Sequence, residues 1–267
     1  MSLPTPYYDR NGITIYCGDC REILPLIPDK SVDLLLTDPP YGITSNQWDK
    51  PMAAVNLWLL IKPIAKTYIF TAGQPYSSSL VLYGEDLFKH EWIWVKNRGS
   101  NFANTIREPM KEHEHILVFS EGNWVYNPQF QKRNGSGGER VKYEVAFRSK
   151  SSNYRDFEGR EPQILPELRV PSSIQFFNTE VGLHPTQKPL ALFIYLVKTY
   201  SNPGNTMIDP FAGSGTTLKA CQDLGRKCIG IEIEEKYCEI AVKRLSQEVM
   251  DFHTLPTLEK ELKSDTY

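Results

Sequence analysis

No stretch of the 267-residue chain holds the ~20 consecutive apolar residues of a membrane-spanning helix, and a mean hydropathy of −0.40 agrees. The N-terminal segment MSLPTPYYDRNG lacks the basic-then-apolar pattern of a secretory signal, so a cytoplasmic location is expected. Cysteine is sparse: Cys17, Cys20, Cys221, Cys228 and Cys238 are scattered along the chain. Cys17 and Cys20 have CxxC spacing, but no second CxxC or Cys/His pair completes a zinc site, and no metal is expected. Buried thiols in a reducing compartment are the plainer reading. The GxGxxG dinucleotide fingerprint, a GK(S/T) triphosphate loop and internal repeats are missing too. Net charge is nearly absent, with 30 Lys and Arg against 32 Asp and Glu giving −2. A generic phosphate binder is basic overall, so the total balance argues against a nucleic-acid partner.

The chain does hold a regular alternation of short apolar strands and amphipathic stretches. Strands are expected at 13–17, 32–37, 68–71, 91–96, 115–120, 206–209 and 227–232. Helical stretches are expected at 21–26, 53–61, 77–82, 190–200, 216–224 and 235–245. This alternation predicts an α/β fold, doubly wound, with a mostly parallel sheet covered by helices on both faces. Between 121 and 182 the pattern breaks: glycines cluster at Gly135, Gly137 and Gly138, and prolines recur at Pro162, Pro166 and Pro171. That segment reads as an insertion into one domain, whose two halves are 1–120 and 183–247, and 248–267 reads as an acidic tail.

Two stretches carry chemistry. The run from Asp209 to Thr217, DPFAGSGTT, follows a strand and opens a helix. Gly213 and Gly215 lack side chains and let the backbone approach a ligand, and the helix N-terminus presents free N–H groups. Glu232 ends the next strand, nineteen residues past Gly213, where its carboxylate can accept hydrogen bonds from two ribose hydroxyls. Together these describe the adenosine-binding half of a doubly wound sheet. The second stretch, Asp38-Pro39-Pro40-Tyr41, also ends an apolar strand. Two prolines cannot extend a central strand, and they remove two donors while keeping their carbonyls. The Asp38 carboxylate and the Pro39 carbonyl form an acceptor pair suited to an exocyclic amine, and Tyr41 offers a face for base stacking. A strand-ending turn and a helix cap are the plain structural alternatives for the two stretches.

On these motifs the chain resembles the S-adenosylmethionine-dependent amino DNA methyltransferases, with DPPY as the catalytic tetrapeptide and DPFAGSG as the cofactor loop. The tetrapeptide precedes the loop, which is the permuted order of the family's beta group, with a target-recognition region between them. The resemblance covers nearly all of the chain outside the insertion and the tail. It implies a Rossmann-like methyltransferase sheet, S-adenosyl-L-methionine as cofactor and double-stranded DNA as partner. It leaves a cognate restriction endonuclease and a homodimer open as further partners. It also implies that Asp38, Phe211, Ala212, Gly213, Ser214, Gly215, Thr216, Asp209 and Glu232 meet the cofactor. Gly18-Asp19-Cys20 resembles the site where an Asp meets the cofactor's adenine amine, so Asp19 and Cys20 join the set. The segment from His184 through Thr186 to Lys188 resembles the part that closes over the methionine end, where Lys188 would pair with the carboxylate. Trp94-Val-Lys96 with Asn101, and His113-Glu-His115, resemble the strand pair beside the catalytic pocket.

An Asp at the first position of the tetrapeptide accompanies adenine-N6 targets in this family more often than cytosine-N4, where Ser is usual. Adenine-N6 methylation of a flipped-out base is therefore the expected activity, with cytosine-N4 the nearest alternative. An inactive DNA-binding module and a nicotinamide oxidoreductase on the same fold are the alternatives from other classes. The charge objection changes once segments are counted. Lys132, Arg133, Arg140, Lys142, Arg148, Lys150 and Arg155 face only Glu139 and Glu144 between 131 and 155, interleaved with Tyr143, Phe147 and Tyr154. Overall neutrality then combines a basic insertion, expected to contact DNA phosphates, with an acidic remainder.

Overall fold

The apolar run Val32–Thr37 forms strand β3, whose side chains are buried on both sides from Leu34 to Thr37, as in the middle of a covered parallel sheet. Leu34 and Leu36 pack into one layer and Leu35 into the other, so a single strand feeds two cores. The computed structural model describes residues 2–42, 52–132, 168–180, 182 and 187–247. Around β3 lie β1 (Tyr8–Arg10), β2 (Ile13–Cys17), β4 (Ala65–Ala72), β5 (Phe88–Ser100), β6 (Lys111–Ser120), β9 (Ile174–Phe177), β10 (Thr206–Asp209) and β11 (Lys227–Glu232). They form one sheet in the order β1-β2-β11-β10-β3-β4-β6-β5-β9. The run from β2 to β4 is parallel throughout.

Helices α1 (Cys20–Ile23), α2 (Ala54–Ile61) and α3 (Tyr76–Tyr83) bury Ile23, Leu57, Trp58 and Leu80 on one face. Helices α4 (Leu190–Tyr200), α5 (Thr216–Asp223) and α6 (Glu235–Ser246) bury Leu196, Leu218 and Ala241 on the other. The chain leaves β3 through α2 towards β4 on one side, and leaves β10 through α5 towards β11 on the other. Strand order therefore reverses between β3 and β10, and a crevice opens at their C-terminal ends. Both motif-bearing loops start there.

The expected sheet is present, with a change of direction at one side and two added strands, the first of which is β1, paired antiparallel with β2 at the edge. Beyond β4 the direction changes: β6 pairs antiparallel with β4 and β5 antiparallel with β6. Between the last two strands lies a one-turn helix at Phe102–Asn104, too short for the crossover that parallel neighbours need. The second addition is β9, which falls inside the stretch read as an insertion yet pairs parallel with β5 as the edge of the main sheet. A separate two-stranded ladder of β7 (Gln131–Lys132) and β8 (Leu168–Arg169) brings together the chain on either side of 133–167. Of the basic residues expected to contact DNA, Lys132 sits on β7; Arg133, Arg140, Lys142, Arg148, Lys150 and Arg155 lie outside the described residues.

Helix α5 packs hard against β11, and glycine makes that approach possible. A Cβ on Gly230 would stand 2.9 Å from both methyl groups of Leu218 and 3.2 Å from the Ala212 Cβ. Gly230→Ala should therefore lower stability by about 1–3 kcal/mol, the cost of overpacking. Urea unfolding should show a lower midpoint with an unchanged slope.

Candidate active site

The two motif loops are joined through their own strands. Thr37, the last residue of β3, donates its hydroxyl to Asp209 Oδ1 at 2.6 Å, and Asp209 is the last residue of β10. Asp209 Oδ1 also accepts the Phe211 N–H at 3.1 Å, and Oδ2 accepts the Thr217 hydroxyl. Burial, partly offset by those hydroxyls, pushes its carboxyl up to about 6. Asp209 thus lies at the base of the cleft with both oxygens already engaged. It shapes the cofactor loop instead of offering an unpaired acceptor to a ligand.

Beyond this junction opens a cleft of about 570 Å³ that both loops line. On its cofactor-loop side Gly213 takes a φ of +51° and Gly215 one of +78°, left-handed conformations that glycine adopts without strain. Gly215 caps α5, and a Cβ there would stand 2.8 Å from Ala241 Cβ, so its need for glycine is also a packing need against α6. Glu232 Oε2 accepts the Gly213 N–H at 2.8 Å and Oε1 accepts the Glu234 N–H at 2.8 Å. An ionised carboxylate has about four acceptor positions, so these backbone contacts leave capacity for a hydroxyl donor. Burial raises the Glu232 carboxyl above its ordinary value. Phe211, Ala212, Ser214 and Thr216 line the same wall. Thr216 is steadied from behind, accepting from Arg244 Nη1 at 2.8 Å.

Asp38 lines the same cleft. Its Oδ1 accepts the Thr71 hydroxyl from β4 at 2.5 Å and the Tyr41 hydroxyl at 3.3 Å. Its Oδ2 accepts Lys188 Nζ at 2.6 Å. Pro39, Pro40 and Tyr41 line the cleft with it, and the Tyr41 ring lies 6.1 Å from that of Tyr76 in a stacked orientation. Burial raises the Asp38 carboxyl, with Lys188 pulling the other way.

Three expected cofactor residues are placed differently from their sequence reading. The Asp19 carboxylate caps α1 through the Arg21 N–H at 2.8 Å and is gripped by the Arg21 guanidinium, which holds it below the usual carboxylate range. Cys20 points into the core, where burial pushes its thiol up to about 12. Neither residue lines the cleft, although Gly18 binds the end of β11 through the Glu232 carbonyl at 2.9 Å. Lys188 does reach the cleft, but its ammonium pairs with Asp38 and stands 3.3 Å from Glu114. His184 and Thr186 lie outside the described residues.

The strand pair beside the pocket contributes more than its motifs indicated. Trp94, Lys96 and Glu114 line the cleft, and Lys96 Nζ binds Glu114 Oε1 at 2.5 Å. Period-two alternation on β6 sends Glu114 inward and its neighbours to the opposite face, where His115 pairs with Glu91 at 3.1 Å. No group of side chains suited to a metal occurs among the described residues. Glu180, unremarked in the sequence, accepts the Leu190 N–H at 3.0 Å at the start of α4 and Gln187 Nε2 at 3.0 Å. It thereby anchors the segment that delivers Lys188.

The parallel strand order, with an acceptor-bearing loop and a glycine loop on neighbouring edges, has the form of a methyltransferase domain. The chain belongs to the DNA methylase family of N6 and N4 type, whose family model matches residues 32–243. It is 30% identical over 255 residues to the DNA adenine methyltransferase YhdJ of Escherichia coli, covering 87% of this chain and 82% of that protein. It is 27% identical over 267 residues to the Type II methyltransferase M.HpaI of Haemophilus parainfluenzae, covering 94% and 80%. Among solved structures, the M1.HpyAVI–SAM complex is similar at a TM-score of 0.58 and 25% identity, covering 87% of this chain and 99% of that one. The cytosine-N4-specific PvuII DNA methyltransferase shares the fold at a TM-score of 0.60 with 15% identity.

The buried junction residue makes a pH prediction. The folded Asp209 carboxyl titrates near 6 and the unfolded one near 3.8, so between those values the native state binds more protons. Stability contributed by that protonation is present at low pH and lost as pH rises through the window. Relative to Asp209→Asn, the wild-type protein should lose about 2–3 kcal/mol of stability between pH 4 and 7, which denaturant unfolding at each pH measures.

Proposed function

We propose that this cleft transfers a methyl group from S-adenosyl-L-methionine to the exocyclic N6 of an adenine flipped out of double-stranded DNA. The observation that carries this reading is that Asp38 and the Gly213 and Glu232 loop line one cleft, at the adjacent ends of β3 and β10. Glu232, with acceptor capacity left at the cleft, fits the ribose hydroxyls of the cofactor, and the Gly213 backbone leaves room beside it. When bound, S-adenosyl-L-methionine supplies a methyl group on a positively charged sulfur. Every other requirement falls on the chain itself.

An adenine amine is a poor nucleophile because its lone pair is delocalised into the ring. Asp38 and the Pro39 carbonyl, accepting its two N–H groups, let the nitrogen become tetrahedral and localise the pair. The nitrogen lone pair then forms the new N–C bond, and the C–S bond breaks with its electrons left on sulfur. One N–H proton leaves the methylated amine, with Asp38 the nearest base. Flipping the base costs a few kcal/mol. Stacking on Tyr41 returns about 1–3 kcal/mol. No covalent link to the protein is needed, so positioning and aimed dipoles carry the catalysis.

Asp rather than Ser at position 38 favours adenine over cytosine, and the adenine specificity named for the YhdJ relative supports the same choice. We assign DNA recognition to 121–182, where the basic residues cluster and where β7 and β8 frame the 133–167 segment. The Type II designation of M.HpaI makes a cognate restriction endonuclease the natural companion.

Two measurements test this reading. Plasmid DNA incubated with the protein and labelled cofactor should yield N6-methyladenine on nucleoside mass spectrometry, and Asp38→Ala should abolish it. Recovery of N4-methylcytosine alone would overturn the adenine assignment. Replacing Lys132, Arg133 and Arg140 together by Ala should weaken DNA binding and flatten the slope of log K against log salt by about 2–3, with cofactor affinity unchanged. An unchanged slope would move the phosphate contacts elsewhere.

A further inference from the structure

Asp38 can serve as an acceptor only while it is ionised and while a lone pair still faces the amine. Burial opposes the first condition, and any strong donor on the carboxylate opposes the second. Both conditions are met by Lys188, expected at the cofactor carboxylate, together with Lys96 and Glu114 of the strand pair beside the pocket. Lys188 Nζ stands 2.6 Å from Asp38 Oδ2 and 3.3 Å from Glu114 Oε2, while Lys96 Nζ stands 2.5 Å from Glu114 Oε1. The Lys188, Glu114 and Lys96 side chains are 7%, 14% and 10% exposed. Charges alternate along the row Asp38, Lys188, Glu114, Lys96, so the row is neutral as a whole. Glu114 Oε2 is buried and accepts no hydrogen bond, so it attracts the Lys188 ammonium by charge across 3.3 Å. Lys188 also reaches the Tyr41 hydroxyl at 3.3 Å.

We propose that Glu114 is a positioning residue for methyl transfer: braced by Lys96, it shares the Lys188 ammonium with Asp38, so that Asp38 stays ionised yet keeps a lone pair open to the target amine. This rests on the reading that Asp38 receives that amine. Lys188 supplies the positive charge that a buried acceptor needs. Glu114 keeps that charge from closing down on Asp38 with all its donors. Without Glu114, Asp38 is the sole carboxylate among the described residues within 4 Å of Lys188 Nζ, and the ammonium competes with the amine for it. The competing pulls show in the titration of the row. Burial works to lower Lys188, but Asp38 and Glu114 hold it well above its ordinary value. Burial works to raise Glu114, but Lys188 and Lys96 hold it below.

The groups facing Asp38 are Lys188 ahead of α4, Glu114 on β6 with Lys96 behind it on β5, Tyr41 in its own loop, the Thr71 hydroxyl on β4 and Asp209 on β10. Removing the Lys188 cation and removing the Glu114 anion should therefore shift the acid limb of the rate profile in opposite directions. The experiment measures kcat against pH on plasmid DNA for Glu114→Gln, Lys188→Met and the double variant, with calorimetric S-adenosyl-L-methionine binding as the check on folding. Lys188→Met should move the acid limb up. Glu114→Gln should move it down and lower the plateau kcat about 10²-fold, the size of loss that misplacing a reacting group produces. In the Lys188→Met background, Glu114→Gln should bring the limb back down with no further loss of kcat, since it acts through Lys188.

A Glu114→Gln plateau within about threefold of wild type, multiplying losses in the double variant, or a Lys188→Met limb that stays put would each overturn the proposal. If Glu114→Gln fails to bind cofactor, Lys96→Met takes its place. It removes the brace and keeps both carboxylates, so it must lower kcat, and a wild-type kcat there overturns the proposal. Asp38→Ala separates the two levels. An active Asp38→Ala removes the functional reading itself, whereas an inactive one beside a wild-type Glu114→Gln removes this proposal alone.

Discussion

A single buried hydrogen bond, from the Thr37 hydroxyl to the Asp209 carboxylate, links segments 172 residues apart and sets the geometry on which the cleft depends. It can form because β3 and β10 are parallel neighbours whose last residues reach the same edge of the sheet. The Asp38–Tyr41 tetrapeptide begins at the next residue on one strand, and the glycine loop begins at the carboxylate on the other. Their order along the chain is immaterial to this arrangement: what the chemistry needs is two adjacent strand ends, and a permuted connection delivers them as well as a direct one. The cost is a carboxylate taken out of water. Three donors, from Thr37, Thr217 and the Phe211 backbone, offset it.

Electrostatics divides the cleft into two walls with different tasks. On the cofactor side Glu232 spends one acceptor position per oxygen on fixing loop backbone and leaves the rest for a ligand. On the acceptor side charge is balanced along a row of four side chains from two adjacent strands, the DPPY loop and the segment before α4. A lone carboxylate at that depth would take up a proton and turn into a donor, the wrong polarity for an amine. An ion pair made only of Asp38 and Lys188 would have the right charge and too few open lone pairs. A row of alternating charges meets both demands, and it does so with residues that lie far apart in sequence.

That separation explains how much of this was legible beforehand. The strand and helix positions near the two motifs follow from apolar runs and periodicity, so the doubly wound centre could be read directly. The β5 and β6 hairpin could not, because alternation of strands implies parallel neighbours only when a helix separates them, and 101–110 holds a one-turn helix. β9 was hidden by its four residues and its proline-rich surroundings. Within the site, local motifs pointed to Asp38, Gly213 and Glu232, and all three line the cleft; Gly213 and Glu232 bind each other within one loop pair, whereas Asp38 binds Thr71 and Lys188, 33 and 150 residues away. Asp19, expected at the cofactor, has its carboxylate bound by Arg21 two residues away and is not among the residues lining the cleft. Glu114 was visible only as the middle of a histidine pair. Its inward direction follows from alternation, and its partner follows from nothing local.

The buried thiols bear on the kind of catalysis this fold can support. Cys20, Cys221, Cys228 and Cys238 are buried, and burial pushes the Cys20 thiol up to about 12, so it offers no thiolate at neutral pH. Cys17 is exposed at the end of β2 and does not line the cleft. Chemistry on an exocyclic amine does not require such a nucleophile, because the amine itself supplies the electron pair. What it requires is a fixed distance between two walls and acceptors of the right polarity on one of them. The parallel β3 and β10 pair fixes the distance, and the neutral row behind Asp38 fixes the polarity. Demand for rigidity thus falls on the sheet, and demand for charge falls on the side chains that the hairpin and the start of α4 bring to its edge.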